Sequence, residues 1–201
     1  MKTYQDIEND LQFSQSLSVT PNWSAAADFL DVIKQHCLRV KPQIIVECSS
    51  GVTTLVLARC CQLNGQGKVY SLENDKQFAE KSRQQISELG LDDYAQVIYA
   101  PLQPTSVANQ IFDWYGTNAL PEESIDMLVI DGPPGFIQKN SRMPALPVLR
   151  NKLSEAVTVF LDDAARADER ELVGNWLTQY PEFAYLYIAN ARGCVVLKAG
   201  V

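Results

Sequence analysis

Gln43-Ile-Ile-Val-Glu-Cys-Ser-Ser-Gly-Val-Thr-Thr54, an apolar stretch to Cys61, and Lys68-Val-Tyr-Ser-Leu-Glu-Asn-Asp75 decide the fold. Ile44–Glu47 reads as a buried strand, Ser49-Ser50-Gly51 as a small-residue loop, and Gly51–Cys61 as a helix. Val69–Leu72 reads as a second strand that ends in a carboxylate. This order builds a nucleotide-type pocket at the carboxyl edge of a parallel sheet. It puts Glu47 and Glu73 at the tips of neighbouring strands, where two anions disfavour a phosphate-rich ligand. A ligand with an amino group and a free ribose suits them better. Gly51 is the only glycine of the loop, with Ser49 and Thr53 where a dinucleotide fingerprint has its others. Without those glycines the backbone cannot approach a pyrophosphate, which argues against a nicotinamide or flavin cofactor.

Working outward, Trp23–Leu38 has apolar residues near helical spacing and Lys41-Pro42 breaks it. Residues 1–20 are polar with scattered apolar positions and read as an N-terminal arm or amphipathic helix, before one domain over 21–201. Asp75 caps a helix that Gly90 ends near Leu89. Ala95–Tyr99 is a third strand, Val107–Tyr115 a helix, and Ile125–Ile130 a fourth strand, apolar as a strand covered on both faces must be. Asp131-Gly-Pro-Pro-Gly135 is irregular, Met143–Leu153 helical after Pro147, and Val157–Leu161 a fifth strand. After a helix over Glu169–Tyr180, Phe183–Ala189 and Cys194–Lys198 form a hairpin. Strands alternating with helices, closed by a hairpin, give an α/β fold: a mostly parallel sheet with an antiparallel edge pair.

The 201 residues, 46% hydrophobic and 20% charged with net charge −7, suit a globular domain and exclude a basic nucleic-acid surface. Five cysteines, an odd number with no CxxC spacing, read as reduced core thiols. No apolar run reaches the ~20 residues of a membrane span. The N-terminus lacks the apolar core of a signal peptide, so a cytoplasmic location is expected. The N-terminal stretch is a candidate contact for a homodimer.

Ligands of open parallel sheets bind beyond the carboxyl ends of the strands. Standing there are Glu47 with Ser49, Ser50 and Gly51; Glu73 and Asn74; Tyr99 and Ala100; Asp131; and Asp162 with Asp163. Singly, each acid has a structural reading: a lysine partner for Glu47, a helix start for Glu73, a turn for Asp131, a helix cap for Asp162-Asp163. Jointly they repel one another and call for hydroxyls, an ammonium group or a metal ion. His36 precedes the first strand, at the wrong end of the sheet, and reads as structural. Trp23, Phe29, Trp114 and Trp176 read as core or lid residues, and the loop 132–147 as the candidate substrate lid.

Six segments together resemble class I S-adenosylmethionine-dependent methyltransferases, in particular the catechol O-methyltransferase-like bacterial branch. They are Glu47–Thr54, Tyr70–Asp75, Ala100–Leu102, Ile125–Gly135, Arg142–Pro147 and Leu161–Arg166. The resemblance covers roughly residues 21–198 and implies a Rossmann-like three-layer sandwich with a seven-stranded sheet. It implies S-adenosylmethionine as cofactor, with Glu47 and Ser49–Gly51 at the methionine part. Glu73 would then take the ribose hydroxyls, Asn74, Tyr99 and Ala100 the adenine, and Asp131 the region of the sulfonium. It implies a site for Mg2+ or Ca2+ on Asp131, Asp162 and Asp163; without the ion, Asp131 or Asp162 would be the catalytic base. The implied reaction is methylation of a small hydroxylated acceptor at oxygen. Two departures, Ser49 for the first loop glycine and Gly132-Pro133-Pro134 where the catechol enzymes carry a lysine, keep a second reading: an inactive cofactor-binding partner protein.

Overall fold

The computed structural model describes residues 2–199. Helices α1 (Tyr4–Asp10) and α2 (Ala27–Val40) precede β1 (Ile44–Cys48), α3 (Val52–Asn64), β2 (Lys68–Glu73), α4 (Lys76–Glu88) and β3 (Ala95–Tyr99). Then come β4 (Leu102–Val107), β5 (Gln110–Tyr115), β6 (Ile125–Ile130), α5 (Ala145–Leu149), a 3-10 turn at Arg150–Lys152, β7 (Leu153–Leu161), α6 (Ala167–Gln179), β8 (Ala184–Ile188) and β9 (Cys194–Lys198).

Seven strands form one sheet in the order β3-β2-β1-β6-β7-β9-β8. All run parallel except β9, which is antiparallel to both β7 and β8. The sheet expected from the sequence, with its antiparallel C-terminal hairpin, is the one observed. Helices cover both faces, giving three layers. On one face α1 to α4 enclose a core that includes Ile7, Phe29, Ile33, Leu55 and Val129. α3 is apolar nearly all round because it lies between the sheet and α2, and Val52–Ala58 are all buried. On the other face α5 and α6 pack Leu146, Leu149, Leu172 and Trp176 against Val46, Leu128 and Val159. Trp114 and Phe29 are core residues too, each fully buried.

One sequence expectation fails here. Val107–Tyr115 is not a helix: β4 and β5 are an antiparallel hairpin, with Val107 opposite Gln110 and Leu102 opposite Tyr115. The two residues between them, Ala108 and Asn109, have φ of 48° and 63°. A type I′ turn demands positive φ at both, and Phe112, Trp114 and Tyr115 then supply the buried apolar surface. The helix expected over Met143–Leu153 is shorter, because β7 already begins at Leu153.

The N-terminal residues join the same body. Thr3 and Asp6 form a capping box at the start of α1. Ile7 and Leu11 have no exposed surface, the Tyr4 hydroxyl donates to the Ala25 carbonyl at 2.8 Å, and Arg59 Nε donates to the Leu11 carbonyl at 2.8 Å.

The chain leaves β1 toward β2 and β3 on one side and returns through β6 and β7 on the other, so connections reverse between β1 and β6. At such a point the loops diverge and a crevice opens above the strand tips. It lies between the Ser49–Gly51 loop and Asp131, whose N–H is held by the Cys48 carbonyl at 3.1 Å.

Candidate active site

Glu47 lies beneath the loop, not on the cleft wall. Its register partner on β2 is Ser71, and the Ser71 hydroxyl donates to Oε2 at 2.7 Å. The Thr54 hydroxyl donates to the same oxygen at 2.6 Å and the Thr53 hydroxyl to Oε1. Thr53 and Thr54 open α3, so the fully buried carboxylate ties the first turn of that helix to two strands. Burial pushes its pKa up to about 7, against the pull of the three hydroxyls. Above it Ser49 has φ 105° and Gly51 φ 146°, which turns the chain sharply into α3.

Glu73 ends β2 at the cleft. Oε2 accepts from the Ser50 N–H at 3.1 Å and the Ser50 hydroxyl at 2.9 Å, and Oε1 from the Asp75 N–H at 2.9 Å. These bonds join the first loop to the second strand tip. Asp75 in turn caps α4 through the Gln77 and Phe78 N–H groups at 2.8 and 2.9 Å. Burial raises the Glu73 pKa, and free lone pairs remain on Oε1.

The third group is acidic and buried. Asp131 follows β6, and Asp162 and Asp163 follow β7. The three bring one oxygen each to within 4.8 Å of one another. The guanidinium of Arg142, 2% exposed, reaches them from the loop after β6. It donates to the carbonyls of Asp131 and Asp162 at 2.8 and 3.0 Å and to Asp163 Oδ2 at 3.0 Å. Arg166 also pairs with Asp163, at 2.9 Å. Both oxygens of Asp162 and Oδ1 of Asp163 are buried without a hydrogen-bond partner among the described residues. Burial raises the pKa of Asp131 and of Asp162 far above the ordinary carboxylate range; Arg142 opposes this for Asp131, while Asp131 and Asp163 reinforce it for Asp162. Counting Glu169 beside Arg142, four acids face two guanidiniums. Arg192, which also lines the cleft and lowers the Asp131 pKa, adds a third cation, so the acids still outnumber the guanidiniums. Oxygen donors with unused lone pairs fit a hard cation.

Gly132 fixes the approach of this loop to the first. A Cβ there would stand 2.5 Å from the Tyr115 hydroxyl and 3.0 Å from Ser49 Cβ, so no larger residue fits. The missed hairpin thus sets the Tyr115 hydroxyl against Gly132, behind the cleft wall.

A cleft of about 760 Å³ joins these parts, within the range of small-molecule sites. Of the residues named from the sequence, Ser49, Ser50, Gly51, Glu73, Asn74, Asp131 and Asp163 line it. Glu47, Tyr99, Ala100 and Asp162 stand behind or beside its wall. The sequence reading missed Phe78, Lys81, Ser82 and Gln85, which share one face of α4 and are legible as i, i+3, i+4, i+7 neighbours. It also missed Arg192 on the β8–β9 loop. Over the mouth Trp23 stacks on Phe78 at 6.2 Å and meets Phe136 edge-on at 6.1 Å. Of the loop 132–147, Phe136 is 78% exposed whereas Ser141, Arg142 and Ala145 are buried. His36 is also buried, against Phe160 at 5.0 Å.

A sheet reversed between β1 and β6, a loop-to-helix turn after β1 and an acid ending β2 make up a Rossmann-like fold of the methyltransferase type. The chain belongs to the family described as "Methyltransferase domain", whose model matches residues 46–164. No curated protein matches it by sequence. Among solved structures it resembles the S-adenosylhomocysteine-bound methyltransferase PaMTH1 of Podospora anserina, with TM-score 0.71, 13% identity, 100% of this chain and 89% of that one. It also resembles the O-methyltransferase TomG of Streptomyces achromogenes in complex with S-adenosylmethionine: TM-score 0.69, 12% identity, 99% and 88% covered. For an O-methyltransferase of Bacillus cereus in complex with S-adenosylhomocysteine the values are 0.67, 14%, 98% and 90%. At these identities the likeness is one of fold. No helix among the described residues is long and apolar enough to cross a membrane.

Proposed function

We propose that this methyltransferase moves the methyl group of S-adenosylmethionine to a hydroxyl of a small acceptor, in the cleft above β1 and β6. The observation that carries the reading is that one cavity collects the Ser49–Gly51 loop, Glu73 with Asn74, and Asp131 with Asp163. Glu73 accepts from the ribose hydroxyls, which a carboxylate binds bidentately. Ser49, Ser50 and Gly51 hold the methionine part, and Glu47 keeps that loop in shape through Thr53 and Thr54. Asn74 with the Tyr99–Ala100 segment borders the adenine, while Asp131 faces the sulfonium.

The acceptor oxygen attacks the methyl carbon as the carbon–sulfur bond breaks, releasing S-adenosylhomocysteine, and the hydroxyl proton must leave. Asp131, which lines the cleft and whose pKa is raised by burial, is suited to take it, with the buried Asp162 behind it as the other candidate base. Asp131, Asp162 and Asp163 would also hold Mg2+ or Ca2+; when bound, such an ion supplies Lewis-acid polarisation of the hydroxyl. Most of the rate gain comes from holding two reactants in line.

Calorimetry tests this. S-adenosylhomocysteine should bind and NADH should not, and Glu73→Ala should weaken binding about 10- to 100-fold, as loss of charge-assisted hydrogen bonds does. Unchanged affinity removes Glu73 from the ribose. Saturable Mn2+ binding that survives Asp162→Asn with Asp163→Asn would rule out the metal site.

A further inference from the structure

Arg192 stands out because, among the described residues, no group pairs with its guanidinium, which acts on Asp131 and Tyr4 only through its charge. The loop that carries it is pinned on two sides. The Ala191 N–H donates to Asp28 Oδ2 at 2.7 Å, and the Arg192 carbonyl accepts from the Ala165 N–H at 2.9 Å. Gly193 lets these segments touch, since a Cβ there would lie 2.5 Å from the Ala165 nitrogen. Two hydrogen bonds thus fix the backbone, while among the described residues the guanidinium has no ion pair and no hydrogen bond. It is half-buried and lines the main cleft.

Beside it the cleft opens into a recess of about 460 Å³ lined by Asn22, Asp163, Ala165, Arg166 and Arg192. The one acid there is spoken for, since Asp163 Oδ2 is shared by Arg142 at 3.0 Å and Arg166 at 2.9 Å. Arg166 is half exposed, 53% by side chain. It leans toward the loop after β6, where its Nη1 would lie 4.0 Å from a Cβ on Gly135. The recess shares Asp163 with the acidic group, and neither Glu73 nor any residue of α4 lines it. A rigidly mounted arginine with unused donors, next to a second one, is built to grip an anion with two parallel N–H bonds.

We propose that Arg192, with Arg166, is the anion-binding corner of the acceptor site, so that the acceptor is a small hydroxylated molecule bearing a carboxylate or a phosphate. This rests on the methyl-transfer reading above. The corner holds the anionic end and sets the distance of the hydroxyl from Asp131. Phe136 and Trp23 cover the apolar middle of the molecule from the mouth. A neutral acceptor of the same shape would leave the guanidiniums unpaired and bind less well.

Three probes test it: 3,4-dihydroxybenzoate, 3,4-dihydroxyphenyl phosphate and neutral 3,4-dihydroxybenzamide, each titrated into protein saturated with S-adenosylhomocysteine. Failure of S-adenosylhomocysteine itself to bind overturns the cofactor reading, a separate result seen first. Once the cofactor product is bound, at least one anion should bind about tenfold or more tighter than the amide. Which anion wins tells carboxylate from phosphate. Arg192→Gln should abolish the preference and leave the amide and S-adenosylhomocysteine affinities unchanged; Arg192→Lys should restore part of it. If Arg192 only offsets the acidic strand tips, Arg192→Lys, which keeps the charge, will restore the whole preference, and the proposal falls. It also falls if the wild-type protein binds the anions no better than the amide, or binds none of the three.

Discussion

Glu47 shows how one buried carboxylate can serve a site it does not touch. Three hydroxyls favour its charged form, but loss of solvent is the larger effect and lifts its pKa from 4.5 to about 7. An acid with a raised folded-state pKa takes up a proton on folding. Its contribution is therefore fully present below the unfolded value and is lost as pH rises through the folded one, here between about pH 4.5 and 7. Glu73 and Glu169, also raised by burial, act with the same sign. The exposed acids Asp6, Asp10, Glu171 and Glu182 are lowered by their hydrogen-bond partners and act oppositely, at the acid end. Urea unfolding midpoints should thus fall between pH 5 and 8. Glu47→Gln should shrink that fall by about 2–3 kcal/mol, the linkage value of a shift of this size. A variant with the wild-type slope would show that Glu47 is ionised throughout.

The β4–β5 hairpin carries the lesson at the scale of an element. Its strands were hidden because Ala108-Asn109 is a poor turn signal: alanine seldom adopts positive φ, and Pro104 reads as a strand breaker. Pairing with β5 from an edge position tolerates the proline, and burial of Phe112, Trp114 and Tyr115 outweighs the strained turn. That strain makes a prediction. An L-residue in the left-handed region costs roughly 1–2 kcal/mol and glycine does not. Ala108→Gly should therefore stabilise the protein by about 0.5–1 kcal/mol, net of the backbone entropy glycine adds to the unfolded chain. A higher urea midpoint at unchanged slope would bear this out, and a lower one would mean that the turn is not type I′. The parallel strands, by contrast, were readable as short apolar runs between breakers, with Glu73, Asp131 and Asp162 marking their ends.

At the scale of the molecule, what the sequence could not supply was register and reach. Glu47 looked like a cleft residue because it ends a strand; only the pairing of β1 with β2 puts Ser71 beside it and the loop above it. Arg142 and Arg192 come to the site from 11 residues beyond Asp131 and from the far hairpin, distances along the chain with no local signal. The same holds for residues 1–20, whose polar composition suggested an appendage. Their apolar positions face inward once α1 lies on α2 and α3: Ile7 and Leu11 are fully buried, and the buried ammonium of Lys34 pairs with Asp10 at 2.5 Å and Asp31 at 2.8 Å. We propose that this segment is an integral part of the domain. Leu11→Ala should then cost what a core leucine costs, about 2–5 kcal/mol. For a chain of this size that lowers Tm by about 5–15 °C, and affinity for S-adenosylhomocysteine should stay the same, since Leu11 does not line the cleft. Leu55→Ala, in the centre of the same core, provides the scale. A loss below about 0.5 kcal/mol, the usual limit for a surface change, would make residues 1–20 an arm whose burial surface belongs to a partner.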